Sequence, residues 1–186
     1  FIEIFKIPLY QGYGQTETAL RVTGMPLDLD ENTKQKLLEE NSIGKPMKWA
    51  EVAVLNKEGN ILPENEEGEV AVKGPVVMGG YINNSANNVA FKNGYFLTGD
   101  LGYYKLFNSE PYFFLKGRLK EIIIKGGVNL SPASIESRLK EISPEIDQVY
   151  VIGLPDGRYG EEIAALVCWK DKNDTSRLEA NLKYQL

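Results

Sequence analysis

The chain has 186 residues, of which 42% are hydrophobic and 25% are charged, and its formal net charge is -5. This composition is ordinary for a soluble globular protein and indicates one medium-sized domain or parts of two. An acidic chain without a basic block argues against a nucleic-acid partner, and no apolar run approaches the ~18 residues of a membrane helix. The sequence therefore predicts neither a nucleic-acid surface nor a transmembrane segment.

Histidine is missing from the sequence, and Cys168 is the single cysteine. The chain therefore carries no histidine base, no serine–histidine pair and no histidine-ligated zinc. Any bound metal is expected to be a hard cation on carboxylate oxygens, such as magnesium. Because Cys168 lies in the apolar run IAALVCW, we predict a buried core thiol. The lack of a disulfide framework favours a cytoplasmic location.

The first part of the chain reads as short antiparallel strands with little helix. It starts FIEIFKIPLY, without an initiator methionine, so we expect it to begin inside a longer protein. Hydrophobic alternation and turn residues between the runs predict strands at 48–55, 69–73, 95–97, 101–104 and 112–115. One helix is predicted near 31–40.

The pattern changes at Gly117-Arg118, and the rest of the chain reads as a small α+β unit. A strand at 122–124 precedes Gly126-Gly127, and a helix then begins with Ser131 as N-cap and proline at its first position. Further elements are predicted at 149–152 and 163–169 (strands) and around 178–186 (helix). The last helix reaches the chain end without a C-cap, which again indicates truncation. The fold class expected for the whole chain is α+β.

A candidate for chemistry is the segment YGQTE at 13–17, which follows Gly12. Its glycines allow a tight turn and a close approach to a ligand. Thr16 offers a hydroxyl, Glu17 a carboxylate and Tyr13 an aromatic face. The same residues also suit a plain turn leading into a polar strand. The spacing excludes a Walker phosphate loop and a GxGxxG fingerprint.

Two later segments also carry polar side chains at turns. In YFLTGD, Asp100 follows a glycine at a predicted strand end, where a carboxylate can accept two charge-assisted hydrogen bonds from a vicinal diol such as that of ribose. The alternative is a turn aspartate bonded to nearby backbone. In GRLKEIIIKGG, the Arg118 fork suits hydroxyl or phosphate oxygens. The alternative here is a charged surface connection.

In this order, the three segments resemble the adenylate-forming (AMP-binding) superfamily, and in particular its acyl-CoA synthetases of the fatty-acid–CoA ligase type. YGQTE is similar to the family's Tyr-Gly-x-Thr-Glu, YFLTGD to its aromatic-x-x-Thr-Gly-Asp, and GRLKEIIIKGGVNLSPASIE to its hinge region. GPVVMGGYINN and VIGLPDGRYGEEIAALV also fit. The resemblance implies a C-terminal fragment. Residues 1–118 would be the C-terminal portion of the large domain, with a β-barrel-like subdomain, and 119–186 would be the small mobile domain in truncated form.

The resemblance also implies roles for four residues of the first part. Tyr13 would stack on adenine, and Thr16 would contact the phosphates. Glu17 would ligate magnesium. Asp100 would hold the ribose hydroxyls.

Three residues after the predicted boundary take their roles from the same resemblance. Arg118 would assist at ribose or phosphate. Lys120 would be the hinge about which the small domain rotates between half-reactions, and with Thr16 and Glu17 it completes the expected catalytic set. Gly127 would line the passage by which the pantetheine thiol enters.

The activity implied is formation of an acyl-adenylate from ATP and a carboxylic acid, expected to be a fatty acid, followed by transfer of the acyl group to CoA, with magnesium as cofactor. The family's phosphate loop and its C-terminal lysine have no counterpart in this sequence, so we expect the chain by itself to be inactive. Pyrophosphate exchange by the purified chain would contradict this. Two alternatives stay open: an adenylation domain that loads an acyl carrier protein, and a degenerate nucleotide-binding homologue.

Overall fold

The computed structural model describes residue 4 and residues 10–170. The chain divides into two compact units, Phe1–Lys116 and Gly117–Leu186. This division lies two residues before the boundary predicted between residues 118 and 119. The described part is mixed α+β, with antiparallel pairing throughout its two sheets. The predicted fold class is confirmed.

The described helices are α1 (Glu31–Glu39), α2 (Asn84–Ala90) and α3 (Pro132–Ile142). The strands are β1 (Gly12–Tyr13), β2 (Thr23–Gly24), β3 (Ser42–Pro46), β4 (Glu51–Leu55), β5 (Gly68–Lys73), β6 (Phe91–Lys92), β7 (Tyr95–Phe107), β8 (Glu110–Arg118), β9 (Ile123–Lys125), β10 (Val128–Leu130), β11 (Ile146–Asp156) and β12 (Gly160–Trp169). Among these described residues, no helix is long and apolar enough to cross a membrane.

The larger sheet has the order β1-β2-β3-β8-β7-β5-β4, and β6 pairs with β7. Strand β5, which pairs with β7 and with the edge strand β4, has Val70, Ala71 and Val72 fully buried, as expected for a strand covered on both faces. Phe113 and Phe114 on β8 are also buried and anchor two separate apolar clusters. Because β5 and β8 flank β7, the most buried part of this unit surrounds the strand that carries Asp100.

Strand β7 differs from the prediction of two strands separated by Thr98-Gly99-Asp100. The chain runs as one strand through these residues. The register against β5 shifts there, because Glu69 pairs with Leu101 whereas Ala71 pairs with Leu97. The extra residues form a bulge, which Gly99 accommodates with a φ of 76°. The turn signal in the sequence therefore marks a bulge inside a strand.

Helix predictions in the first unit were partly correct. The expected helix near 31–40 is α1, and the Asp30 side chain caps it by accepting the Thr33 amide at 2.9 Å. Helix α2 was not predicted, because its seven residues include three asparagines and bury no side chain. Such a segment lacks the apolar stripe by which helices are recognised in a sequence.

The second unit has a sheet of order β10-β9-β12-β11. Its core combines Ile123, Leu139 and Val151 with Ile146 and Val149. Helix α3 begins as predicted, because Ser131 caps it by accepting the Ser134 amide at 3.4 Å. The predicted helix around 178–186 lies outside the described residues.

Cys168 is exposed, so the prediction of a buried core thiol was wrong. From Ile163 to Trp169 strand β12 is apolar on both faces, and side chains alternate along it. Val167 and Trp169 pack against the core of the second unit. Cys168 and Leu166 therefore point to the opposite face, where 65% of Leu166 is also exposed.

Candidate active site

Asp100 is a buried carboxylate in the first unit, with 6% of its surface exposed. A buried carboxylate is costly unless hydrogen bonds compensate it. The Tyr13 hydroxyl donates to Asp100 Oδ2 across 87 residues of sequence. The structure thus brings together two of the predicted site residues, from β1 and from the bulge of β7.

Gln15 completes the polar cluster around Asp100. Its Nε2 donates to Asp100 Oδ2 at 2.9 Å, to the Thr98 carbonyl at 3.0 Å and to the Tyr13 hydroxyl at 3.3 Å. One amide group therefore links the YGQTE segment to the TGD bulge at two points and also contacts Tyr13 of its own segment. The cluster presents a carboxylate, a phenol and an amide close to one another, which is a suitable set for hydroxyl groups of a ligand.

The YGQTE segment forms a compact turn. Residues Thr16–Thr18 form a 3₁₀ turn, and the buried Thr18 hydroxyl accepts the Gln15 amide at 3.0 Å. Gly14 is needed because a Cβ at this position would lie 1.7 Å from the Leu20 carbonyl oxygen. The sequence predicted that glycine here would allow a ligand to approach closely. In the structure, Gly14 instead allows the backbone of Leu20 to approach closely.

Leu20, next to this turn, has an unusual backbone conformation. Its φ is 80°, and the Arg21 amide donates to the Ala19 carbonyl at 3.1 Å. This bond between residues i and i+2 around a positive φ defines a γ-turn of the rare, strained type. The Leu20 side chain is 76% exposed, so packing of that side chain is not what fixes the turn. The fixing contacts are instead the backbone bonds of Gln15 with Thr18 and Leu20, each 3.0 Å.

Glu17 and Thr16 lie on the 3₁₀ turn, where Thr16 is exposed and Glu17 is half-buried. Glu17 Oε1 accepts the Tyr81 hydroxyl at 2.9 Å, and the Glu17 carbonyl accepts the Met78 amide at 2.8 Å. Burial, followed by the bond to Glu17, raises the pKa of Tyr81. Tyr81 is therefore a protonated donor to the Glu17 carboxylate at neutral pH.

Glu69 supports the bulge from the neighbouring strand. One of its carboxylate oxygens accepts the Gly99 amide at 2.8 Å. Burial raises the pKa of Glu69, and the negative charge of Asp100 acts in the same direction. A second carboxylate thus fixes the backbone immediately before Asp100.

Arg118, Lys120 and Gly127 belong to the second unit and are exposed there. Arg118 ends β8, and its carbonyl accepts the Glu121 amide at 3.0 Å, which places Lys120 within a reverse turn. Gly126 and Gly127 connect β9 and β10 with φ values of 59° and 84°. Two positive φ angles in a two-residue hairpin are those of a type I′ turn.

The described residues contain no group of three or more acidic, cysteine or histidine side chains placed to hold a metal ion together. Glu17 fits instead a site in which the protein supplies a single carboxylate to the metal ion. Magnesium commonly takes one or two carboxylates and completes its shell with phosphate oxygens and water. A half-buried carboxylate on an exposed turn suits that role.

Sequence reasoning missed several residues of this site, namely Gln15, Glu69, Tyr81 and Asn87. Gln15 lies inside the YGQTE segment and Tyr81 inside GPVVMGGYINN, so both could have been identified from the motifs in the sequence. Glu69 and Asn87 had no local signal. Their roles come from pairing between β5 and β7 and from the loop before α2.

Residues 1–82 match a family model described as AMP-binding enzyme. The chain is 39% identical over 166 residues to oxalate–CoA ligase from Arabidopsis thaliana, which is 89% of this chain and 30% of that protein. It is 37% identical over 162 residues to 2-succinylbenzoate–CoA ligase from Bacillus mycoides, which is 87% of this chain and 31% of that protein.

The fold agrees with these matches. The chain superposes along its whole length on 36% of o-succinylbenzoate CoA synthetase from Bacillus subtilis in complex with its acyl-adenylate intermediate, with a TM-score of 0.80 and 32% identity. For the same enzyme with ATP and magnesium, the TM-score is 0.78 and the identity 31%, and the match again covers 100% of this chain and 36% of the enzyme.

The chain therefore belongs to the AMP-binding, adenylate-forming enzymes. The two curated relatives above are both CoA ligases by name, and the chain spans about a third of the length of each.

Proposed function

We propose that the protein carrying this chain is an ATP-dependent ligase that activates a carboxylic acid as an acyl-adenylate and transfers the acyl group to CoA. The observation that supports this most is the buried Asp100 carboxylate, which bonds to Tyr13 and Gln15 of the YGQTE segment. Two segments 87 residues apart thus form one polar cluster.

Asp100 is the proposed site of the ribose hydroxyls. A carboxylate accepts hydroxyl donors strongly, and burial strengthens such bonds by excluding water. Because the Tyr13 hydroxyl is bonded at Asp100, its ring lies beside the proposed ribose position, which supports stacking on the adjoining base. The exposed hydroxyl of Thr16 is proposed to contact the phosphates.

Magnesium is proposed to bind Glu17 together with phosphate oxygens and water. When bound, the ion would supply charge compensation on the phosphates. Arg118 is proposed to assist at ribose or phosphate, Lys120 to act as the hinge and Gly127 to line the thiol passage. With an oriented acid and nucleotide, positioning would supply much of the acceleration.

The acid itself is proposed to be a fatty acid, on the resemblance of the GRLKEIIIKGGVNLSP segment to fatty and aryl acyl-CoA ligases. The curated relatives are named for oxalate and 2-succinylbenzoate, so the test includes these acids as well. The proposed location is the cytoplasm, in line with a sequence that has no disulfide framework.

The test uses the full-length protein with ATP, magnesium and a panel of acids, and follows AMP release with and without CoA. AMP release that requires one acid class and CoA is the expected result. Pyrophosphate exchange without CoA-dependent turnover would indicate loading of a carrier protein instead. ATP binding without turnover on any acid would indicate a degenerate nucleotide-binding homologue.

Replacing Asp100 by asparagine should weaken ATP use specifically. The amide still accepts one hydrogen bond but loses the charge, so the apparent KM for ATP should rise about ten- to a hundredfold. The KM for the acid should change much less. Glu110→Gln, at an exposed end of β8, is the matched control. Equal losses for ATP and acid would contradict the assignment of Asp100 to the ribose.

A further inference from the structure

Glu17 is held from two sides by a single loop, the segment between β5 and α2. The Tyr81 hydroxyl donates to its carboxylate at 2.9 Å, and the Met78 amide donates to its carbonyl at 2.8 Å. The loop therefore fixes both the backbone and the end of the side chain. A glutamate has three rotatable bonds, and without such a contact its carboxylate would sample many positions.

Tyr81 is itself fixed by Asn87 of α2. The Tyr81 amide donates to Asn87 Oδ1 at 2.7 Å, and Asn87 Nδ2 donates to the Tyr81 carbonyl at 3.0 Å. One side-chain amide thus satisfies both backbone groups of Tyr81, as a neighbouring strand would. Gly80 permits this approach, since a Cβ there would lie 3.1 Å from Asn87 Oδ1 and its φ is 135°.

We infer that Tyr81 is a positioning residue that aims the Glu17 carboxylate at the metal, and that Asn87 holds Tyr81 in place for this purpose. The inference rests on the proposed role of Glu17 as the magnesium ligand. A phenol suits this task, because its hydroxyl donates to the carboxylate without adding charge. It occupies one oxygen and leaves the carboxylate its negative charge for the ion.

The decisive variant is Tyr81→Phe in the full-length protein. It removes one oxygen atom and keeps the ring. Pyrophosphate exchange is measured over a magnesium titration at saturating ATP and acid. The apparent activation constant for magnesium should rise about three- to tenfold, the range expected for loss of one hydrogen bond. The rate at saturating magnesium should fall by less than about twofold, because excess ion restores occupancy.

Asn87 gives a graded series. Asn87→Asp keeps an acceptor for the Tyr81 amide and loses the donor to its carbonyl, whereas Asn87→Ala loses both. The shift in magnesium dependence should be larger for the alanine variant. Tyr150→Phe is the matched control, because Tyr150 is an exposed tyrosine on β11 of the second unit. It should leave the magnesium dependence unchanged.

A double-mutant cycle separates positioning from a general structural effect. If Tyr81 acts through Glu17, then Tyr81→Phe should add almost nothing in a Glu17→Gln background. An equal shift in both backgrounds, or no shift in the single variant, would overturn the inference. An unchanged magnesium dependence in Glu17→Gln itself would overturn it together with the metal role of Glu17.

Failure of the proposed activity is seen separately, as absence of AMP release by the unaltered protein with every acid. In that case the same variants are compared by calorimetric titration of ATP at several magnesium concentrations. A magnesium-dependent loss of ATP affinity in Tyr81→Phe would then support the inference, and identical titrations would overturn it.

Discussion

Glu69 supports the site at the cost of holding a second carboxylate next to Asp100. Burial, together with the charge of Asp100, raises the pKa of Glu69 above its usual 4.5. A raised pKa in the folded state means that the protonated form fits the fold better. The stabilisation linked to this group is therefore complete below about pH 4.5 and is lost as the pH rises through the folded-state pKa.

Glu69→Gln should raise the thermal stability of the protein at pH 7. The amide oxygen can still accept the Gly99 amide, while the ionisation that opposes folding is removed. Since Glu69 is only partly buried, the gain is expected to be below about 1 kcal/mol after solvent screening, or below about 4 °C in Tm. Thermal unfolding at pH 7 and pH 4 measures it.

The gain from Glu69→Gln should shrink at pH 4, where the wild-type carboxyl is largely protonated. Glu58→Gln, at an exposed position in a turn, serves as the control and should show no such pH dependence. A lower Tm for Glu69→Gln at pH 7 would mean that the charge-assisted bond to the Gly99 amide outweighs the cost of burial.

At the level of elements, the β9–β10 hairpin shows what two adjacent glycines can indicate. The Gly126-Gly127 pair follows the strand predicted at 122–124, and a turn of type I′ is found there. Strand β10 beyond it was not predicted, because its three residues, Val128–Leu130, are too short to show an alternation. The glycines located the turn, and pairing with β9 defines the strand.

Variants of Gly127 test both the turn conformation of this hairpin and its proposed role in the thiol passage. A Cβ at Gly127 meets no atom within 4 Å, so the cost of a substitution lies in its φ of 84°. Gly127→Ala should destabilise by about 1–2 kcal/mol, and Gly127→Asn by less, because asparagine tolerates this conformation. Denaturant unfolding measures both.

The same variants address the proposed thiol passage. Added side-chain bulk at Gly127 should slow CoA-dependent turnover and leave pyrophosphate exchange unchanged. Gly157→Ala, in an exposed turn of the second unit, is a suitable control, because a Cβ there also meets no atom within 4 Å and its φ is not positive. Loss of stability without selective loss of the CoA step would leave the hairpin with a purely structural role.

For the whole molecule, local patterns predicted the class and the order of most elements, but not the contacts that build the site. Tyr13, Glu17 and Asp100 were predicted from short motifs with strong chemical character. The hydrogen bonds that these residues make were not predicted, because the bond from Tyr13 to Asp100 spans 87 residues. The bond from Tyr81 to Glu17 spans 64 residues and likewise depends on tertiary packing.

The two compact units bear on the proposed hinge. The division falls between Lys116 and Gly117, and Lys120 lies just beyond it in the turn that Arg118 and Glu121 close. A hinge needs a few residues that can absorb large changes in φ and ψ. An exposed turn without regular strand pairing meets this requirement better than β8 before it.

Lys120→Pro in the full-length protein should slow one half-reaction more than the other by about tenfold or more. Proline fixes its own φ and restricts the preceding Leu119, so it should stiffen the turn in one of its two conformations. Pyrophosphate exchange reports adenylate formation, and single-turnover thioester formation from preformed adenylate reports transfer.

Two further variants serve as controls for Lys120→Pro. Lys120→Ala separates loss of the side chain from loss of backbone freedom. Lys57→Pro places proline in an exposed turn of the first unit and should affect neither step. Equal losses in both half-reactions would show that Lys120 is required for structure and is not a hinge.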